Sequence, residues 1–276
     1  METTLPMEPI NQAAADRLIT AARLSLSCLD LTDLNEHSSE ADVEGLCWRA
    51  LGADGALPPV AAVCVWPRLA AFARAQLPPS IAVATVVNFP GGDQPPESVL
   101  REVEQVLQAG AQELDCVLPY RRLLAGDAAA CADMLKSVRA ASAGLVLKVI
   151  LETGELQRPE LIAQASQIAL DLGADFLKTS TGKTPQGASV EAARIMLQSI
   201  SAHSRAQRLG FKASGGLRTM ADVLPYLDLV QEILGPKALA PSRFRLGASS
   251  LWDDIAQLLC VSGRGVQANS SSKHVY

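Results

Sequence analysis

The chain has 276 residues, of which 49% are hydrophobic, 19% charged and only 4% aromatic, and its net charge at pH 7 is −5. A sequence pI of about 5.3 disfavours a nucleic-acid-binding protein, which normally carries a basic face. The sequence shows neither an uncharged apolar run of about 18 residues nor a signal peptide, so we expect no membrane partner. Six cysteines without a C-x-x-C pair fit reduced thiols, and we therefore expect a cytoplasmic α/β protein.

Short apolar runs bounded by turn residues alternate with longer helical patterns along the chain. Runs of this length and composition are typical of buried strands. The eight predicted strands lie at residues 26–31, 60–66, 81–87, 113–118, 145–151, 175–179, 209–213 and 243–248.

Helical patterns fill the spaces between these strands, and one further helix precedes the first strand. They are clearest at residues 11–24, 95–109, 155–172 and 189–203. Pro95 opens one of these patterns and Gly110 follows it, which is the usual order of these residues at helix ends. Thr219 with Asp222 predicts the beginning of a helix after the seventh strand, because a hydroxyl cap and a first-turn acid are favourable there.

This alternation predicts a (β/α)8 TIM barrel with an additional N-terminal helix and a flexible C-terminal tail. A doubly wound open sheet is the structural alternative, but no G-x-G-x-x-G follows the first strand. We expect residues 1–261 to form a single domain. Residues 262–276 are polar and rich in Gly and Ser, and we expect them to be mobile.

Four charged residues interrupt the apolar strands four to seven: Asp115, Lys148, Lys178 and Lys212. A single strand lysine often reaches solvent or pairs with an acid. Three on successive strands should instead converge in the mouth of a barrel, where active sites lie. An amine attacks a carbonyl only when it is unprotonated, and burial beside a second cation favours that form. The pattern predicts a nucleophilic lysine, but it leaves open which of the three has this role.

Three segments after strands six to eight are rich in Gly, Ser and basic residues. In barrels, the loops after strands seven and eight often bind phosphate through backbone N–H groups and a helix N-terminus. The alternative is that these residues only make tight turns and helix caps. The candidate phosphate ligands are Gly182, Lys183, Gly215, Gly216, Arg218, Ser249 and Ser250.

The histidines give no indication of a metal site. His37, His203 and His274 are far apart and form no H-x-H or H-x-x-x-H pattern. We therefore expect no metal and disfavour a zinc-dependent enzyme.

Several motifs together resemble the deoxyribose-phosphate aldolase family. The run Asp175-Phe-Leu-Lys178-Thr-Ser-Thr-Gly182-Lys183 resembles its Schiff-base motif. Further segments are similar to the second-lysine motif, the proton-transfer strand and other parts of the family over residues 25–260. These segments begin at Leu29, Val63, Asn88, Glu113, Leu147, Gly210 and Phe244.

The resemblance implies a reversible cleavage of 2-deoxy-D-ribose 5-phosphate to acetaldehyde and D-glyceraldehyde 3-phosphate, without a cofactor. It implies that Lys178 forms the Schiff base and that Lys212 keeps this amine unprotonated. Asp115 would direct proton transfer through a bound water, and Lys148 and Asp30 would complete the polar network.

The resemblance also implies a substrate pocket, a contribution from the chain end and a homo-oligomeric assembly. Cys64 would face the pocket, and Tyr276 would assist proton transfer from the C-terminal tail. The remaining substrate-binding residues implied are Thr179, Gly182, Lys183, Gly215, Gly216, Ser249 and Ser250. Two alternatives remain: another class I sugar-phosphate aldolase or transaldolase, and a non-catalytic sugar-phosphate sensor.

Overall fold

The strands form where short aliphatic runs end at turns. The computed structural model describes residues 12–270 and the side chains of residues 14–260. Within residues 12–270 there are eight strands: β1 (Leu29–Asp33), β2 (Ala62–Val65), β3 (Ala82–Val87), β4 (Glu113–Val117), β5 (Val146–Ile150), β6 (Phe176–Lys178), β7 (Gly210–Ser214) and β8 (Phe244–Ala248). All neighbours are parallel, and β8 pairs with β1, so the sheet closes into the predicted barrel.

The helices surround this barrel. In the described part of the chain they are α1 (Gln12–Ser27), α2 (Glu40–Ala50), α3 (Pro67–Gln76), α4 (Pro96–Gln108), α5 (Tyr120–Leu124), α6 (Ala128–Ala141), α7 (Thr153–Leu156), α8 (Pro159–Asp171), α9 (Val190–Ala202), α10 (Met220–Leu234) and α11 (Leu251–Ser270), with a 3₁₀ turn at Pro236–Ala238. None of these helices is long and apolar enough to cross a membrane.

Two predicted boundaries were wrong for local reasons. The first strand was expected to begin at residue 26, but Leu26 and Ser27 continue α1 and β1 begins at Leu29. The helix expected over residues 155–172 is two helices, because Pro159 has no N–H to donate and starts α8. Residues 262–270, which the sequence assigned to the tail, continue α11.

The helix starts follow the predicted chemistry. Asp222 accepts hydrogen bonds from the backbone N–H of Thr219 at 2.9 Å and from its hydroxyl at 3.0 Å, so this pair fixes the beginning of α10. Gly110 ends the α4 turn with a φ of 72°, which costs glycine little. These signals place α4 and α10 within about one residue of their predicted positions.

The pairing register decides which strand residues face the barrel interior. Asp115 pairs with Lys148, Lys178 pairs with Lys212, and Lys212 pairs with Arg245. Paired residues of neighbouring parallel strands point to the same side of the sheet, and side chains alternate along each strand. The charged residues of β4–β8 therefore share the interior, although the apolar runs around them pack outwards against the helices.

Candidate active site

Asp115 lies at the centre of a cluster of buried charges inside the barrel. Its Oδ1 accepts a hydrogen bond from Lys148 Nζ at 2.8 Å, and its Oδ2 accepts one from Lys178 Nζ at 2.8 Å. Lys212 Nζ also donates to Oδ2, at 2.8 Å. Lys178 is 2% exposed and the other three side chains are fully buried. The four residues predicted to converge do meet, at one carboxylate.

Asp30 connects this cluster to β1. Its Oδ2 accepts a hydrogen bond from Lys212 Nζ and lies 3.6 Å from Lys148 Nζ, and its Oδ1 accepts one from Arg245 Nη1 at 2.6 Å. Arg245 also donates to Glu113, with Nη2 2.7 Å from Oε1 and Nη1 3.1 Å from Oε2. Lys148 Nζ lies 2.6 Å from Glu113 Oε2, which closes a continuous network of charges.

The three lysines experience different electrostatic surroundings. Burial lowers the pKa of Lys178; Asp115 opposes this effect, and Lys212 adds to it. Burial also disfavours the charge on Lys212, but Asp115 and Asp30 outweigh it and hold the pKa of that amine above its ordinary value. Lys178 is thus the lysine of the cluster best suited to be a neutral nucleophile.

Lys148 and Asp115 are held in their charged forms. Burial opposes the charge on Lys148, but Asp115, Glu113 and Asp30 raise its pKa above the ordinary range. Burial likewise disfavours ionised Asp115, yet Lys148, Lys178 and Lys212 hold its pKa well below the usual value. The centre of the site is therefore a carboxylate surrounded by amines, of which Lys178 binds its proton least tightly.

A polar cavity of about 290 Å³ opens at the carboxyl ends of the strands. Gly247 in its wall lies against the cluster, because a Cβ there would be 2.9 Å from Lys212 Cε. The loops after β6, β7 and β8 supply most of its wall. Every residue predicted to bind phosphate after these strands lines it: Gly182, Lys183, Gly215, Gly216, Arg218, Ser249 and Ser250. The start of α11 at Leu251 follows the two serines directly, so its first backbone N–H groups are available near the cavity.

The glycines of this wall are needed for close approach of the backbone. Gly215 has a φ of 89°, and a Cβ there would lie 2.9 Å from Gly187 Cα. A side chain at this position would therefore push apart the loops after β6 and β7. Lys183 crosses the cavity rim, and its Nζ donates a hydrogen bond to Leu34 O at 2.8 Å.

The family to which the chain belongs follows from its similarity to known proteins. The model of the DeoC/LacD family aldolases matches residues 24–238. The chain belongs to the DeoC/LacD aldolase family. A deoxyribose-phosphate aldolase from Agrobacterium fabrum (strain C58) is 47% identical to this aldolase over 242 residues, which cover 87% of this chain and 92% of the relative.

Solved structures agree with this membership. An apo-form structure from Toxoplasma gondii ME49, assigned as a deoxyribose-phosphate aldolase, is 25% identical with a TM-score of 0.80, over 88% of this chain and 98% of its own. A tetrameric deoxyribose phosphate aldolase from Aeropyrum pernix is 26% identical with a TM-score of 0.63, over 94% of this chain and 100% of its own. The chain is thus an aldolase, a carbon–carbon lyase with a closed eight-stranded barrel.

The other predicted site residues of this aldolase take different positions. Cys64 is buried on the interior face of β2, and burial raises the pKa of its thiol. Thr179 is not in the cavity wall: its hydroxyl donates to Ser214 O and accepts from Ser214 N–H, both at 3.0 Å, so it ties β6 to β7. Tyr276 lies outside the described residues. Among the residues described, no group of His, Cys, Asp or Glu has the arrangement of a metal site.

Sequence reasoning missed three buried charges in and next to the site of the aldolase, Glu113, Arg245 and Glu152. Glu113 and Arg245 carried the same signal as the predicted residues, because each is a charge inside an apolar strand. Glu113 precedes Asp115 by two residues, and strand alternation puts both side chains on the same face. The signal that identifies both residues was therefore present in the sequence.

Glu152 lies just beyond β5 and organises the loop after β6. Its backbone has a φ of 56°, in the left-handed region, and its side chain is buried. Glu152 Oε2 accepts hydrogen bonds from the hydroxyl of Thr181 and, at 3.3 Å, from its N–H, whereas Oε1 accepts one from the hydroxyl of Thr184 at 3.2 Å. Burial raises the pKa of this carboxyl. Its contacts fix the loop that carries Gly182 and Lys183.

Proposed function

We propose that this aldolase reversibly cleaves 2-deoxy-D-ribose 5-phosphate to acetaldehyde and D-glyceraldehyde 3-phosphate through a Schiff base on Lys178. The relatives named deoxyribose-phosphate aldolases support the substrate. The observation that carries the proposal is the position of Lys178. It is a buried amine with a lowered pKa, at the carboxyl end of β6 and next to a cavity with the chemistry of a phosphate site.

The first step is attack by the neutral Lys178 Nζ on the aldehyde carbon of the open-chain sugar. Loss of water from the resulting carbinolamine gives an iminium ion, which withdraws electrons from the neighbouring carbon–carbon bond far better than a neutral carbonyl does. Lys212 remains charged beside it because Asp115 and Asp30 hold its proton. Its charge disfavours protonation of Lys178 before attack.

The second step breaks the bond between C2 and C3. Removal of the proton from the C3 hydroxyl releases D-glyceraldehyde 3-phosphate, and the bonding electrons form an enamine on the lysine nitrogen. Protonation of the enamine carbon and hydrolysis then release acetaldehyde and the free amine. We assign to Asp115 the transfer of these protons through a water molecule, and the hydrogen bond that it accepts from Lys178 Nζ supports this role. We further propose that Tyr276, in the C-terminal tail, assists the transfer of the proton to the enamine carbon that becomes the methyl group of acetaldehyde.

The cavity next to the lysines would hold the phosphate of the substrate. Lys183 and Arg218 supply positive charge, the glycines of the two loops expose backbone N–H groups, and Ser249 and Ser250 supply hydroxyls. Binding energy from this remote group positions the aldehyde near Lys178. Cys64 would form part of the interior wall that faces the substrate.

We further propose that the enzyme needs no cofactor or metal, works in the cytoplasm and assembles as a homo-oligomer. The Schiff-base chemistry needs only the amines and the carboxylate described above. The relative from Aeropyrum pernix is a tetramer, which supports the last point. Dialysis against a chelator should leave kcat unchanged, and light scattering should give a mass of at least twice the 29.1 kDa of one chain.

The decisive experiment is trapping with acetaldehyde and sodium borohydride, followed by peptide mass spectrometry. We expect a reduced ethyl adduct on Lys178 in the wild type and no adduct there in Lys178→Arg, which keeps the charge but removes the nucleophile. Turnover of deoxyribose phosphate should be lost in the same variant. An adduct on another lysine, retained turnover in Lys178→Arg, or activity with fructose phosphates alone would refute the proposal.

A further inference from the structure

Arg245 and Glu113 lie at the end of the charge network nearest the amino ends of the strands. Arg245 precedes Gly247 by two residues in β8, and Glu113 precedes Asp115 by two residues in β4. Glu113 is 3% exposed and Arg245 7%. Neither residue lines the cavity next to the lysines. Both nevertheless contact the network, because Arg245 bonds Asp30 and Glu113 lies within ion-pair distance of Lys148. Their influence on the reaction must therefore pass through these partners.

The fold holds the Arg245 guanidinium in one place. Gly210 has no Cβ, and a Cβ there would lie 2.2 Å from Phe176 Cε1, so the Phe176 ring occupies that space. The guanidinium carbon of Arg245 stacks over this ring at 5.7 Å, and Arg245 Nε donates to Pro241 O. Its remaining N–H groups are aimed at Asp30 and Glu113. Because these contacts hold the Arg245 side chain on all sides, its positive charge has a fixed position in the interior.

We propose that Arg245 and Glu113 are positioning residues for the Schiff-base reaction proposed above, and that together they keep Lys178 in the neutral form that attack on the aldehyde requires. The proposal depends on the charge balance of the connected network. Its cations are Lys148, Lys178, Lys212 and Arg245, and its anions are Asp30, Glu113 and Asp115.

With every group ionised, the network has one positive charge in excess in a buried interior. Uncompensated buried charge is costly, and a titratable group neutralises rather than bear that cost. Among the described residues, Lys178 has only Asp115 as its ion-pair partner, whereas Lys148 and Lys212 each have Asp115 and at least one further carboxylate. Lys178 is therefore the group that gives up its proton. Arg245 always keeps its charge, so it permanently satisfies the carboxylates that would otherwise favour a proton on Lys178.

Other titratable groups also face Lys178, but they are the same in every variant proposed here. Cys64 is on β2, Lys148 on β5 and Lys212 on β7, and each is buried in the same interior. Asp30, on β1, acts on Lys178 through Lys212. Glu152, just beyond β5, hydrogen-bonds to threonine hydroxyls outside the network, and burial favours its neutral form.

The charge balance predicts opposite effects for the two partners. When Lys178 is neutral, the wild-type network is balanced. Arg245→Met then has one negative charge in excess, so Lys178 should hold its proton more tightly. Glu113→Gln leaves an excess of positive charge, so Lys178 should release it more readily. Removing both restores the balance. A unit charge about 10 Å away at an effective dielectric of about 20 moves a pKa by about one unit.

The test is the acid limb of kcat/KM against pH for cleavage of deoxyribose phosphate, which reports the free enzyme. We expect the limb to move up by about one pH unit in Arg245→Met, down by about one unit in Glu113→Gln, and back to within about 0.3 units of wild type in the double variant. Arg245→Lys, which keeps a positive charge, should stay near wild type. A change in fold alone would lower kcat/KM at all pH values and would not move the limb in opposite directions.

An exposed ion pair provides the matched control. Arg194 and Glu232 bridge α9 and α10 at the surface, and Arg194→Met with Glu232→Gln should leave the limb in place. If Arg245→Met does not fold, the isosteric Glu113→Gln carries the test alone. The proposal is overturned if the acid limb of kcat/KM in Arg245→Met and Glu113→Gln coincides with that of the wild type, or if it moves in the same direction in both variants. Acetaldehyde trapping on wild-type Lys178 is performed first, because its absence indicates failure of the proposed reaction and not of this inference.

Discussion

Replacing Lys212 by methionine removes the cation next to Lys178 and keeps much of the side-chain volume. Both amines bind Asp115 Oδ2 at 2.8 Å, so their nitrogens are at most twice that distance apart. At about 5.6 Å and an effective dielectric of about 20, their repulsion is about 3 kcal/mol, which corresponds to about 2 pKa units. The variant also frees Asp115 to stabilise a proton on Lys178. Both effects raise the pKa of Lys178 and reduce its neutral fraction at pH 7.

The acid limb of kcat/KM should therefore move up by about 2 pH units in Lys212→Met, and below the limb kcat/KM should fall about 100-fold. Activity should return as the pH is raised, because Lys178 itself is intact. Lys136→Met makes the same change on the exposed surface of α6 and should leave the profile unchanged. A limb that does not move, together with a uniform loss at every pH, would show that Lys212 acts by direct contact and that the electrostatic reasoning is wrong.

Two further changes test how the fold supports the site. Glu152→Ala should raise the KM for deoxyribose phosphate about 10-fold without changing the KM for unphosphorylated deoxyribose. The reason is that the variant loses the Thr181 contact that orders the loop after β6, which carries Gly182 and Lys183. Equal effects on the KM of both substrates would contradict this. Gly210→Ala should lower the free energy of unfolding by about 1–3 kcal/mol in urea titrations, since the new Cβ meets the Phe176 ring. Gly45→Ala, in an exposed turn of α2 with open space around it, should be neutral or stabilising, and a similar loss there would remove the steric explanation.

The strand positions were predictable because parallel barrel strands are buried on both faces and read as short aliphatic runs. The boundaries of helices and strands were harder to predict where a helical pattern passes directly into a strand, as at Leu26, or where Pro159 divides one pattern into two helices. Residues 1–261 as one domain and residues 262–276 as a mobile tail remain predictions.

The sequence by itself determined that charged residues lie within apolar strands and that glycine-rich loops follow strands six to eight. The identities of Asp115, Lys148, Lys178 and Lys212 could be read from it because a charge in an apolar run is costly without a function. The Schiff-base motif distinguished Lys178, but no spacing along the chain showed how the charges balance. Only the closed barrel decided that, because the register brings β8 next to β1 and places Arg245 between Asp30 and Glu113. Charge balance depends on distances between strands that are far apart in sequence, and only the tertiary structure fixes those distances.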